Sequence, residues 1–226
     1  MIAWLRRFFD VRSGEGLPVL LAFLYIAAVI ASFLLAKPIR NGLFLGQFSA
    51  YSLVYVYAAV PLALTAFVHV HARVSARFGQ RTVTIWTLVF FSANVVLFWI
   101  AFRFFRVPGL PAVFYVWVNC FGVIAPVQAW SFTNSLFDTR QARRLFGLIG
   151  AGASLGSVIA GLMALFLVRV VGGTANMLLV LAALILCAAA IVWTAAVYTR
   201  QARTGARRRP VHHPLAASMR QIAASP

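Results

Sequence analysis

The sequence predicts an all-α membrane protein with six transmembrane helices. Of its 226 residues, 63% are hydrophobic and only 10% are charged, whereas soluble domains have about 45–50% apolar and about 25% charged residues. Six apolar runs reach the roughly 20 residues that a helix needs to cross the hydrocarbon core of a membrane. None of the runs alternates with the period of two that is typical of barrel strands. The composition therefore excludes a soluble enzyme and a soluble nucleic-acid-binding domain.

The six spans are predicted from these apolar runs. In chain order they are Leu17–Ala36, Tyr51–Val70, Thr82–Phe102, Pro111–Phe137, Leu145–Val168 and Thr174–Tyr198. Residues 1–16 are expected to precede the membrane domain at 17–198, and residues 199–226 are expected to form a basic tail. The first run is too long for the apolar part of a signal peptide, so we expect a retained helix. Pro38 and Gly42 predict that this helix continues toward Gly46 only in broken form.

Basic residues are distributed unevenly between the two sides of the predicted bundle. One side carries fifteen of the 20 Lys and Arg residues, in the N-terminal segment, the second and fourth connections and the tail. The other side carries Lys37, Arg40, Arg103, Arg106 and Arg169. Because the excess of positive charge stays in the cytoplasm, both termini are predicted to be cytoplasmic, in a cell (inner) membrane. The +17 net charge then indicates membrane topology and contact with anionic lipids, and no nucleic-acid partner is expected.

Acidic residues and cysteines offer no chemistry inside the predicted membrane domain. The three acids, Asp10, Glu15 and Asp138, all lie outside the spans on the basic side. Proton relays and cation sites in membranes usually use an Asp or Glu within a span. Cys120 and Cys187 have no metal-ligand spacing. We therefore expect no catalytic residue, no metal site and no cofactor.

Two cations end the first apolar run. Lys37, which is the only lysine in the chain, lies one helical turn before Arg40. One interpretation is a helix end with charges that reach out to the interface. The other is an anion-binding site at a broken helix, in which Lys37 and Arg40 hold a phosphate or carboxylate and Arg40 binds it bidentately. The residues alone leave both open.

The fourth span is the most polar and carries a polar and aromatic stripe. At 100° per residue one face collects Tyr115, Asn119, Pro126, Trp130 and Thr133, with Asn134 nearby. Such a stripe either joins helices or lines a cavity, and Asn119, Trp130 and Asn134 are the candidate lining residues. Gln128 is expected on the opposite face. Near the cytoplasmic end of the second span, His69 and His71 are expected at the membrane interface and not in a catalytic role.

The fifth span is rich in small residues. Gly150, Gly152, Gly156 and Gly161 are predicted to allow close helix packing, and Gly152 and Gly156 form a GxxxG pair. Residues 152–156 also match the G-x-S-x-G pattern of hydrolases. That chemistry needs a histidine base near the serine, and the histidines that follow lie in the tail. The small residues therefore favour packing over catalysis.

Several segments carry a family resemblance. The connection Ala72–Arg81 resembles the loop between spans two and three of the major facilitator superfamily. Lys37–Leu45 is similar to the first-helix signature of the ATP:ADP antiporter family, a nucleotide-transporter branch of that superfamily. Phe114–Val118 and Trp130–Asn134 are similar to the fourth span of that family, and Gln141–Gly156 is similar to its next junction. The resemblance implies half of a major-facilitator-type fold, with two three-helix repeats.

The resemblance also defines the expected function and two departures from it. Characterised exchangers of the family carry a glutamate where this chain has Asn119, and they have about twelve spans where this chain has six. The tail at 215–226 resembles the linker before a seventh span. The chain is thus identified as an N-terminal half that moves a small, anionic, nucleotide-like solute by alternating access. It would need a C-terminal six-helix half or a second copy. The alternative is a six-helix membrane scaffold that transports nothing.

Overall fold

A computed structural model describes residues 15–105 and 107–208. These residues form six long helices, which are α1 (Gly16–Leu45), α2 (Leu53–Arg77), α3 (Gln80–Phe104), α4 (Leu110–Asn134), α5 (Thr139–Val170) and α6 (Met177–Arg208). A short 3-10 turn, Ala50–Ser52, precedes α2, and the described part of the chain contains no strand. All six helices contain a segment long and apolar enough to cross a membrane. The prediction of an all-α protein with six spans is confirmed.

The first helix is continuous, so the predicted break after Ala36 is wrong. α1 runs through Pro38 and Gly42 to Leu45. Proline removes one backbone hydrogen bond, but membrane helices tolerate this loss when neighbouring groups satisfy the freed carbonyl. Gly42 serves close packing here, because a Cβ at this position would lie 3.3 Å from Cγ2 of Thr174.

Two other predicted boundaries also move. α4 ends at Asn134, before Phe137, because Asp138 begins the next helix with a capping box. Its backbone N–H donates to Oε1 of Gln141 at 3.1 Å, and its own side chain accepts from the backbone of Gln141. α6 continues past Tyr198 to Arg208, so the first part of the predicted tail is helical. Residues 1–14, 106 and 209–226 lie outside the described part of the chain.

The helices pack as two related groups of three. α1 contacts α4, α5 and α6, while α4 contacts α1, α2 and α3. The two sets of neighbours correspond if α1 is matched with α4, α2 with α5 and α3 with α6. α3 and α6, which correspond to each other in this scheme, pack together. This arrangement is the one expected of two three-helix repeats.

Glycines of α5 lie directly against the backbone of α1. A Cβ on Gly152 would come within 2.5 Å of the Phe23 carbonyl oxygen, and one on Gly156 would come closer still to that of Ala27. A Cβ on Gly150 would meet the edge of Trp130 at 3.9 Å. Gly161 has no described atom within 4 Å of such a Cβ, so the predicted packing role does not hold for Gly161 within this bundle.

The same two helices are joined at their N-terminal ends by an ion pair. Arg144 Nη2 of α5 lies 2.5 Å from Oε2 of Glu15, and both side chains are largely buried. Gln141 Nε2 donates to the other carboxylate oxygen at 2.9 Å. The acid just before α1 is thus tied to the first turns of α5. The small residues and this ion pair together make α1 and α5 the most extensive helix pair of the fold.

Candidate functional site

The strongest candidate site lies where α1, α2 and α4 meet, at the end of the bundle opposite Glu15. Cζ of Arg40 lies 4.2 Å from the centroid of the Tyr115 ring. The Tyr115 hydroxyl donates to the hydroxyl of Tyr57 at 2.9 Å. Tyr115 is buried, Arg40 is half-buried and Tyr57 is exposed. We call Arg40, Tyr57 and Tyr115 the Arg40 cluster. It joins three helices around one guanidinium group.

The Lys37 side chain extends along α1 toward Phe33. Its Nζ lies 4.3 Å from the centroid of the Phe33 ring, which is one turn deeper along α1. The Phe33 ring occupies the space where a side chain on Gly122 of α4 would stand. A lysine that reached for the interface would extend the other way, past the C-terminal end of α1. Helical side chains point toward the N-terminus of their helix, and at this end that direction is inward. The Nζ group of Lys37 therefore lies beside a ring that packs against α4, and not at the C-terminal end of α1.

Neither cation is neutralised by a carboxylate in the described part of the chain. The acids described there are Glu15 and Asp138, which lie at the opposite end of the bundle. Among the described residues, the side chain of Arg40 makes one hydrogen bond, a long one of 3.4 Å from Nε to Oδ1 of Asn41. Lys37 and Arg40 make no ion pair within residues 15–105 and 107–208. Two half-buried, uncompensated cations attract a negatively charged group.

Asn119 lies one turn from Tyr115 on α4 and is half-buried. Its Nδ2 group donates to the Tyr115 carbonyl oxygen at 2.8 Å. This bond fixes the amide, and among the described residues its Oδ1 atom accepts no hydrogen bond. Asn119 thus offers a fixed acceptor on the same face as the Arg40 cluster.

Trp130 and Asn134 lie far from this cluster. Eleven residues separate Asn119 from Trp130, which corresponds to about 16 Å along the helix axis. Trp130 packs edge-on to Phe146 of α5, with ring centroids 6.1 Å apart, and Asn134 is the exposed last residue of α4. The structure brings Lys37, Arg40 and Asn119 to one end and leaves the other two predicted residues at the other. Two members of the stripe, Tyr115 and Thr133, are fully buried.

A second polar group was not predicted. Nε2 of Gln128 lies 2.7 Å from Nε2 of His71 on α2 and 3.2 Å from Oγ1 of Thr87 on α3. Gln128 is 3% exposed, and its Oε1 atom has no partner among the described residues. The prediction that His71 sits at the interface missed this contact. A signal was available, because an amide in an apolar span requires a polar partner from another helix.

The comparisons with known proteins bear on the C-terminal part of the chain. A family model described as TLC ATP/ADP transporter matches residues 110–202. No curated protein and no solved structure matches the chain. The matched segment contains Asn119, Trp130 and Asn134 but not the helix that carries Arg40. The match supports a nucleotide-transporter family and argues against an enzyme, and together with the six apolar helices it supports a multi-pass membrane protein.

Proposed function

We propose that this chain is the N-terminal six-helix half of a secondary transporter of the major facilitator type. It moves a small, anionic, nucleotide-like solute by alternating access. The observation that carries the proposal is the pair of half-buried cations Lys37 and Arg40, which have no acidic partner among the described residues. It gains support from the nucleotide-transporter match to the helices beside them.

In this proposal the solute contacts the two ends of the bundle one after the other. Lys37 and Arg40 bind a phosphate group, and the Tyr57 hydroxyl and the Asn119 amide oxygen orient the part of the solute next to it. Trp130 and Asn134, about 16 Å further along α4, line the path to the other side. The half-exposed ring of Trp130 offers a flat surface on which a base can stack. Movement between the two ends corresponds to rocking of one half against the other.

The second wall of the path comes from another six-helix half or a second copy of this chain. α2 and α5 are the least buried helices of the bundle. In a completed transporter part of their uncovered surface faces the other half. A non-transporting scaffold would expose the same helices, so the two functions must be separated by experiment.

Orientation is part of the proposal, and it rests on the excess of Arg residues at the Glu15 end. Reporter fusions at Gln80 and at Pro108 should read opposite sides, with Gln80 in the cytoplasm of the inner membrane. The physical reason is that Arg-rich connections are retained on the cytoplasmic side. A cytoplasmic reading at Pro108 would contradict the proposed orientation.

The proposed function is tested by uptake. Proteoliposomes containing this chain together with a C-terminal six-helix half should take up labelled ATP or ADP saturably, and inorganic phosphate serves as a comparison solute. The chain alone should show saturable uptake only if it forms a dimer. Stable co-assembly without saturable uptake of any of the three would favour the scaffold and contradict transport.

A further inference from the structure

A groove lies between α2 and α3 near the Arg-rich ends of these helices. Its cavity volume is about 490 Å³, and its walls include Phe67, Val70 and Val74 of α2 and Val83, Trp86 and Phe90 of α3. The volume lies within the roughly 300–1,000 Å³ of small-ligand pockets. We call it the α2–α3 groove. It lies away from the Arg40 cluster, at the other end of α2.

The groove exists because α2 and α3 scarcely touch. α2 packs mainly on α4, while α3 packs mainly on α6, so the two neighbours diverge after a connection of only two residues, Phe78 and Gly79. Val70, Trp86 and Phe90 are exposed. In a protein that spans the membrane, this apolar opening faces the hydrocarbon chains of the bilayer. Its occupant must therefore have an apolar part.

The inner wall of the groove also carries polar groups. His71 and Thr87 line it, and both contact the buried amide of Gln128. The Thr87 hydroxyl accepts from Gln128 and donates to no described residue, and Gln128 Oε1 is buried without a partner. Thr87 is seven residues into α3, about 10 Å from its first residue. With the membrane surface at the first residue of α3, this depth would be near the boundary between the headgroup region and the hydrocarbon core, where the ester groups of a phospholipid lie.

Arginines stand next in the chain to the residues at the outer end of the groove. Phe78 and Thr82 line its outer end, and Arg77 and Arg81 are their neighbours in the chain. Neither arginine, nor Arg73 one turn earlier, makes an ion pair within residues 15–105 and 107–208. Basic pockets between membrane helices bind anionic headgroups. The positive charge of these arginines therefore favours an anionic phospholipid over a zwitterionic one.

We propose that the α2–α3 groove is a binding site for an anionic phospholipid. One acyl chain lies along the apolar walls, an ester carbonyl accepts a hydrogen bond from the Thr87 hydroxyl, and the phosphate group lies between Arg77 and Arg81. Three separate observations fit the three parts of one lipid: the apolar opening, the Thr87 hydroxyl that donates to no described residue, and the arginines beside Phe78 and Thr82 that make no ion pair among the described residues. The proposal does not depend on the transported solute.

The test uses Trp86 as a reporter of what occupies the groove. The full chain is placed in phosphatidylcholine vesicles that contain a minor fraction of lipid with brominated acyl chains, either phosphatidylglycerol or phosphatidylcholine. The quenching of Trp86 fluorescence is obtained as the difference between the quenching measured for the wild type and for Trp86→Phe. The matched control is Trp193 on α6, which is also exposed but does not line the groove. Brominated phosphatidylglycerol should quench the fluorescence of Trp86 several-fold more than brominated phosphatidylcholine does. The two brominated lipids should quench the fluorescence of Trp193 to the same extent.

Variants that remove arginine charges test whether these charges produce the preference for the anionic lipid. Arg77→Gln with Arg81→Gln should bring the preference close to one, because each arginine near an anionic surface contributes about fivefold, while Arg103→Gln at the other end of α3 should change nothing. If the double variant does not fold, raised salt applied to the wild type should reduce the preference instead. Equal quenching of Trp86 by both lipids would overturn the proposal. So would a Trp86 shielded from both, which would indicate that a protein helix fills the groove.

Discussion

Alanine in place of Gly156 should destabilise the bundle strongly. The added Cβ would meet the carbonyl oxygen of Ala27 on α1, which is backbone and cannot rotate away as a side chain can. α1 and α5 must then move apart along their most extensive interface. Overpacking of this kind costs about 1–3 kcal/mol, and occasionally more. The free energy of unfolding in mixed detergent micelles, followed by loss of helical signal, measures the effect.

Gly161→Ala is the matched control for this change. It adds the same methyl group to the same helix, but no described atom lies within 4 Å of the new Cβ. Its effect on the free energy of unfolding should stay within about 0.5 kcal/mol, as for most exposed positions. Equal destabilisation by the two variants would contradict the role of contact with Ala27, because alanine has a higher helix propensity than glycine and by propensity alone would stabilise the helix at both positions.

Replacing Arg40 with alanine should weaken solute binding about 10–100-fold. The guanidinium lies over Tyr115 and has no acidic partner among the described residues, so in our proposal its charge is available to a phosphate. Hydrogen bonds to charged groups contribute about 1.5–3 kcal/mol, which corresponds to this range of affinity. Arg40→Lys should recover only part of the loss, because an ammonium cannot form the two parallel bonds of a guanidinium. Equilibrium binding of labelled ATP to the transporter assembled in lipid nanodiscs measures both variants.

Arg103→Ala supplies the control for Arg40. Arg103 lies in the last turn of α3, at the same end of the bundle, and is exposed. Its removal changes the net charge as Arg40→Ala does, but it touches no member of the Arg40 cluster. If both variants lost affinity equally, the effect would come from the general field of this end and not from a site.

The sequence predicts the spans well because one energetic cost dominates the structure of a chain in lipid, the cost of leaving a backbone polar group without a hydrogen bond. An unsatisfied backbone group in hydrocarbon costs several kcal/mol, so each apolar run of sufficient length must be a helix. The same reasoning fails at Pro38. Its ring breaks helices in water, but inside a bundle the continuous α1 is the better solution, since neighbouring helices can satisfy the freed carbonyl. Helix ends shifted for a local reason too, the capping box of Asp138.

The site was predicted only in part, because periodicity gives the angle of a residue around its helix and not its neighbours. The stripe on α4 correctly groups Asn119 and Trp130 on one face, yet the two lie about 16 Å apart along the axis. Tyr57 was not among the candidates, since its contact with Tyr115 depends on how α2 crosses α4. The Gln128 contacts depend on three helices at once. Such contacts are set by packing, which a single sequence does not display.

The measurement that tests the central claim most directly compares solutes that differ only in their phosphate groups. The affinities of ATP, ADP and adenosine are determined for the assembled transporter in nanodiscs, with wild type and Arg40→Ala side by side. The account predicts that the two nucleotides bind at least tenfold more tightly than adenosine, and that Arg40→Ala removes most of this difference while leaving the weak binding of adenosine unchanged. Adenosine binding as tight as ATP binding, or a difference that persists without Arg40, would contradict an anion site at this cluster.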